Sequence, residues 1–261
     1  MSQSHFRYHN QPITQQLIAD IAGLLDAHNI PGVLWGNSML IVHGVPSFTE
    51  DISFIVPDQA VPTATSTLRQ AGFKCCTLGH KCRFAYDTVE FITSPPPSAH
   101  FHMTGHNVVK LFEKSETLST VANFSASPNA APSAQIILAS DLNHLPRYEP
   151  DLGEGAFPQD LHPVRVPSAH CLVETYSTLM LRDWTNDYGT FWMSMLAYIM
   201  TYVAGKGKLD LQQVEPQRRK FFVDMRAGKI GTAQAVKNLR QALEAGPIST
   251  LAHTKAEPKA Q

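Results

Sequence analysis

No apolar run in this chain approaches the ~20 residues that a membrane-spanning helix needs. The richest window, residues 191–203, is shorter and suits a buried helix. The first dozen residues are polar and lack the apolar core of a signal peptide, so the sequence reads as intracellular. An excess of one charge is missing too. The chain has 21 basic and 22 acidic residues, a net charge of -1, so it lacks the basic stripe of a nucleic-acid-binding protein and has room only for a local basic cleft. Cysteines are few: Cys75 and Cys76 are adjacent, while Cys82 and Cys171 are scattered. They form no disulfide framework and no familiar zinc spacing, and read as reduced, partly buried thiols. Three catalytic signatures are also absent. Without Gly-x-Ser-x-Gly there is no nucleophile elbow. Without Gly-x-Gly-x-x-Gly or a P-loop, a dinucleotide enzyme or a P-loop NTPase is disfavoured.

What is present is ordinary globular composition, 43% hydrophobic and 16% charged, enough to build a sizeable core. Ile13, Leu17, Ile18, Ile21, Leu24 and Leu25 recur at helical spacing. Residues 33–35 read as a short strand, 36–38 as a turn, 39–43 as a helix ended by Gly44, and 52–56 as a strand stopped by Pro57. A helix over 61–71 follows, then strands near 73–78, 84–93, 100–103, 108–112, 136–139 and 164–167. Two loop stretches, 115–133 and 143–161, interrupt them. After Ser168, a plausible N-cap, the pattern turns helical: 169–183, 188–204, 216–225 and 232–243. The expected organisation is an α/β domain over 1–167, a helical lobe over 168–245 packed on it, and a disordered tail over 246–261.

The stretch 34–56 carries the functional argument. Gly36-Asn37-Ser38 opens a helix. A loop then leads to a strand bearing Asp51 and, two positions on, Ser53. This pattern resembles the signature of the nucleotidyltransferase superfamily, in the branch of toxin–antitoxin enzymes and uncharacterised fungal proteins. The resemblance implies a small mixed β-sheet with flanking helices and a helical lobe. In that family the helix N-terminus holds a triphosphate. Two strand carboxylates at i and i+2 share a face and hold divalent metals. A third carboxylate on a neighbouring strand completes the set. Here Asp51 matches the first carboxylate, but Ser53 replaces the second, and a neutral hydroxyl is a weak ligand for a hard cation. Glu50 points to the opposite face of a regular strand. Glu90 and the His100–His102 strand compete for the third position. Tyr176 stands where family members often carry a lysine.

His100 and His102 share one face of a strand, with His106 close behind. With Asp51 they read either as a two-histidine, one-carboxylate metal site or as polar pocket walls. Lys110 and Lys114 read as solvated surface, and Arg182-Asp183 as a local ion pair or cap at a helix end. Tyr188, Phe191, Trp192, Tyr198 and Tyr202 fall near one helix face and read as core, or as the wall of an apolar pocket. Together these readings imply a cleft between sheet and helical lobe. Gly36, Asn37, Ser38, Ser53, Glu90 and Tyr176 would bind ligand there. Asp51 with His102 or His100 would do acid–base chemistry on a small organic molecule, without a cofactor, as in tailoring steps of secondary metabolism. The alternative is an active transferase moving a nucleoside monophosphate from NTP to a hydroxyl acceptor, with Mg²⁺ on Asp51 together with Glu90 or with His100 and His102. A non-catalytic binding protein on the same scaffold is the third.

Overall fold

A computed structural model describes residues 6–48, 50–84, 94–122, 133–186 and 188–246. The expected Glu90, residues 85–93 of one expected strand, 123–132 of the first loop and 247–261 of the expected tail lie outside them. The fold is mixed α/β. Among the described residues, helices α1 (Gln15–Ala27), α2 (Gly36–Val42), α3 (Val61–Gln70), α4 (Ala169–Arg182), α5 (Tyr188–Tyr198), α6 (Pro216–Arg226) and α7 (Thr232–Glu244) accompany seven strands. These are β1 (Val33–Trp35), β2 (Asp51–Val56), β3 (Lys74–Cys75), β4 (Ala99–His102), β5 (Val108–Glu113), β6 (Ile136–Leu138) and β7 (Arg165–Pro167). They form one sheet in the order β3-β4-β5-β2-β1-β7-β6. β2 runs parallel to β5 and antiparallel to β1, so the sheet is mixed.

β2 sits at the centre, and five of its six residues are buried, as a strand covered on both faces requires. Its side chains alternate between those faces. Phe54 lies on the face covered by α1, where a side chain at Gly32 would meet both Leu25 of α1 and Phe54. Asp51, Ser53 and Ile55 point the other way. Trp35 pairs with Ser53 in the β1–β2 ladder and so shares that second face. There it meets Tyr176 of α4 at 5.3 Å between ring centroids, and Tyr176 in turn stacks on Trp192 of α5 at 5.9 Å.

The chain divides into two compact units, 1–214 and 215–261. The sequence places a boundary at residue 168. The aromatic contacts of Trp35, Tyr176 and Trp192 join α4 and α5 to the sheet within the first unit. The second unit holds α6 and α7, which pack on each other. The stretch 143–161 is anchored rather than loose. The Gly155 N–H donates to Ile41 O of α2, Phe157 is buried, and Lys206 Nζ bonds both Gly44 O and the buried Glu154. No helix among the described residues is long and apolar enough to cross a membrane.

Candidate functional site

The chain leaves β1 through Gly36, whose φ of +66° is cheap only for glycine. A Cβ added here would lie in ordinary contact with Ser53 Oγ and Asp51 Oδ1, at 3.4 and 3.7 Å. α2 therefore starts directly against the second face of β2. Trp35 is its N-cap, and no side chain caps the helix. Ser38 is buried and donates from Oγ to the Asp51 carbonyl at 2.9 Å, tying α2 to the start of β2. Asn37 donates from Nδ2 to Phe48 O at 3.3 Å, holding the loop that leads into the strand. Gly36 and Asn37 line a cleft, whereas Ser38 fastens its base.

The cleft has a volume of about 740 Å³, within the range of small-molecule sites. Its floor is the second face of β2 and β5: Asp51 and Ser53 from one strand, Val108, Lys110 and Phe112 from the other. The register explains the grouping, since Ser53 pairs with Lys110 and Asp51 with Val108. Lys110 Nζ donates to Asp51 Oδ2 at 2.7 Å, and Ser53 Oγ donates to Asp51 Oδ1 at 3.3 Å. Both carboxylate oxygens thus meet a donor. The Lys110 and Asp51 side chains are only 13% and 20% exposed, so the pair sits in a partly dehydrated environment.

The opposite wall is α5, through Phe191, Trp192, Ser194, Met195 and Tyr198. Trp192 is fixed by its indole N–H, which donates to Asp183 Oδ2 at 2.8 Å. Asp183 is itself gripped by Arg182, with Nε and Nη2 each 2.9 Å from a carboxylate oxygen. Burial opposes ionisation of Asp183, but the bonds from Arg182 and Trp192 prevail and hold it below the usual carboxylate range. The local ion pair read from the sequence therefore also sets a wall residue. Arg83, Phe84 and His106 close the side, with Phe84 and His106 ring centroids 5.2 Å apart. Phe48, 96% exposed, and the exposed Glu50 also line it. Glu50 precedes β2, which frees it from strand alternation and lets it join the cleft with Asp51.

Several sequence-level site residues take other positions. Tyr176 is buried, stacked behind Trp35 and Trp192, and does not line the cleft; burial pushes its hydroxyl well above the usual tyrosine range. His100 and His102 lie one strand further out on the same face, opposite Lys110 and Val108 of β5. Neither lines the cleft. They gather instead with Cys76 and Cys82. Burial, with His102 and Lys110 nearby, holds His100 below the usual histidine range. The set Asp51, His100 and His102 is not brought together as one ligand cluster among the described residues. Lys110, read from the sequence as surface, is a floor residue. Its alternation with Val108 and Phe112 was visible, but its partner depends on the β2–β5 pairing, which spans 59 positions.

No protein-family model matches the chain, and no curated protein sequence matches it. Two solved structures are similar at low level. One is the solution structure of the antibiotic-resistance factor ANT(2'')-Ia, with 13% identity, a TM-score of 0.36, and coverage of 88% of this chain and 90% of that one. The other is the crystal structure of ANT(2'')-Ia in complex with adenylyl-2''-tobramycin, with 12% identity, a TM-score of 0.36, and coverage of 88% and 95%.

Proposed function

We propose that this protein is a nucleotidyltransferase-like protein whose cleft binds a small organic molecule and transforms it by metal-independent acid–base chemistry. The observation that carries the reading is the Asp51–Lys110 pair on the cleft floor. A pair of Mg²⁺ ions does not suit this donor set. Ser53 brings no charge, Asp51 is met by an ammonium and a hydroxyl, and the residue facing Ser53 on the neighbouring strand is a lysine. A local charge sum near zero gives a divalent cation little reason to leave water. The same pair sets an ammonium donor and a carboxylate acceptor side by side in a partly dry cleft, where the polar group of a bound molecule would meet both. His106, which lines the cleft, supplies the imidazole expected at His100 or His102. Trp35, Phe84, Phe191 and Trp192 favour a flat, apolar ligand body, with its polar group turned to Asp51 and Lys110.

Calorimetric titration of NTPs with and without Mg²⁺ tests this reading. The expected result is no Mg²⁺-dependent binding. Metal-dependent micromolar binding, abolished by Asp51→Asn, would overturn it in favour of nucleotidyl transfer. A screen of aromatic hydroxy compounds should then give ligands that lose affinity in Lys110→Met. Hits that bind unchanged in that variant place the ligand elsewhere.

A further inference from the structure

Four soft or borderline donors meet at the outer edge of the sheet, beside the cleft. His100 and His102 project from one face of β4 because alternate strand residues do so. β3 pairs antiparallel with β4, Lys74 opposite His102, and the Cys76 N–H donates to His100 O at 3.0 Å. Cys76 therefore stands directly across from His100, on the same face. The chain then turns through a 3-10 turn, Gly79–Lys81, and returns with the Cys82 N–H bonded to Gly79 O at 3.0 Å. That return brings Cys82 Sγ to 3.6 Å from His102 Nε2. One ligand atom from each of Cys76, Cys82, His100 and His102 lies within 4.8 Å of every other.

We propose that Cys76, Cys82, His100 and His102 bind one Zn²⁺ ion as a structural site. Tetrahedral zinc has Zn–S near ~2.3 Å and Zn–N near ~2.0–2.1 Å, which sets ligand-to-ligand edges of roughly 3.3–3.8 Å. The Cys82–His102 separation already falls there. Two sulfurs and two imidazoles are a zinc set; hard cations such as Mg²⁺ and Ca²⁺ prefer oxygen. On binding, each cysteine releases its thiol proton, and two thiolates with two neutral imidazoles make the loaded site neutral. A neutral centre is tolerated where Cys82 and His100 are buried. The Leu78 N–H, 3.3 Å from Cys76 Sγ, donates to one of those thiolates.

The ion would do what the local chain does poorly alone. β3 has two residues, and the segment after it exposes Leu78 at 58%. Clamping that segment to β4 fixes the residues that follow Cys82, Arg83 and Phe84, which line the cleft. Phe84 already rests edge-on against His102, 5.7 Å between centroids. Cys75, one residue away, alternates to the other face and takes no part.

Metal analysis of protein purified without chelator should give close to one zinc per chain. Cys82→Ser and His102→Ala should each lower this more than tenfold, and Cys75→Ser should leave it unchanged. Cobalt in place of zinc should produce a thiolate-to-cobalt charge-transfer band. Should the variants fail to fold, the wild-type chain answers alone: chelation should make two further thiols reactive and speed tryptic cleavage after Lys81 or Arg83 at least tenfold. Wild-type protein that takes up neither zinc nor cobalt overturns the proposal. So do a cobalt spectrum without thiolate character, a Cys76–Cys82 disulfide in fresh protein, and thiol reactivity or cleavage indifferent to chelator.

Discussion

Lys110 lies across from Ser53 in the β2–β5 ladder, yet its ammonium reaches along the floor to Asp51, 2.7 Å from Oδ2. The pair is neither fully buried nor freely solvated. Lys110→Met should cost about 1–2 kcal/mol, between the values for exposed and buried pairs. Asp51→Asn combined with Lys110→Met should cost less than the sum of the singles, leaving a coupling on the order of 1 kcal/mol. Urea unfolding of the four proteins in a double-mutant cycle measures it, and strict additivity would mean the contact contributes nothing.

If Ser53 and Lys110 are what turn the floor away from Mg²⁺, replacing them should restore it. Ser53→Asp with Lys110→Asp places three carboxylates on adjacent positions of β2 and β5. Thermal unfolding of this variant should shift upward with millimolar Mg²⁺, while the wild type stays indifferent. A folded variant that ignores Mg²⁺ would show that something other than these two residues sets the metal preference.

His43 ends α2 with its ring buried and Nε2 at 2.9 Å from Pro167 O, to which it donates. Burial lowers its pKa from 6.5 to about 4, with the Pro167 carbonyl opposing. The neutral ring is the folded form, so the unfolded chain binds the extra proton. Stability is therefore unaffected above pH 6.5 and falls as pH drops from 6.5 towards 4. By pH 5 the loss from this residue should reach about 2 kcal/mol. Denaturant unfolding from pH 7.5 to 5 should show a shallower acid loss in His43→Gln than in wild type. Parallel curves would assign the acid sensitivity to other groups.

Asp26 of α1 is buried beside Arg165 of β7, Nη1 to Oδ1 at 2.9 Å, with His162 Nε2 2.9 Å from Oδ2. Asp26→Ala strands a buried guanidinium and should cost about 3–5 kcal/mol. Arg165→Met in the same chain should recover most of that loss, because the uncompensated charge is then gone. Chemical denaturation of the single and double variants decides the point. A double variant as unstable as the single would mean that Asp26 acts through packing instead.

Local pattern revealed much of the frame. Period-two alternation placed Asp51 and Ser53 on one face, and the Gly36 turn was visible because only glycine takes that φ without strain. Partners across the sheet were not visible. Lys110 looked like surface because its neighbour Asp51 is set by a parallel pairing, not by anything near it in sequence. Cys76 and Cys82 looked unrelated to the His-x-His pair because the β3–β4 register brings them together. The one available signal was three thiols and two alternating imidazoles within residues 75–102. Glu50 illustrates a boundary effect: it stands just before β2, which starts at Asp51, so strand alternation does not govern its direction.

The parallel pairing of β2 with β5 has a kinetic side. Between these neighbours the chain must run out through α3, β3 and β4 and back, so Asp51 and Lys110 meet only when a loop of 59 positions closes. Closing a loop of that length is entropically costly and rewards nothing until the strands dock. The cleft floor therefore cannot exist in a partly folded chain that holds only its helices and local hairpins. The site appears only once β2 and β5 have paired.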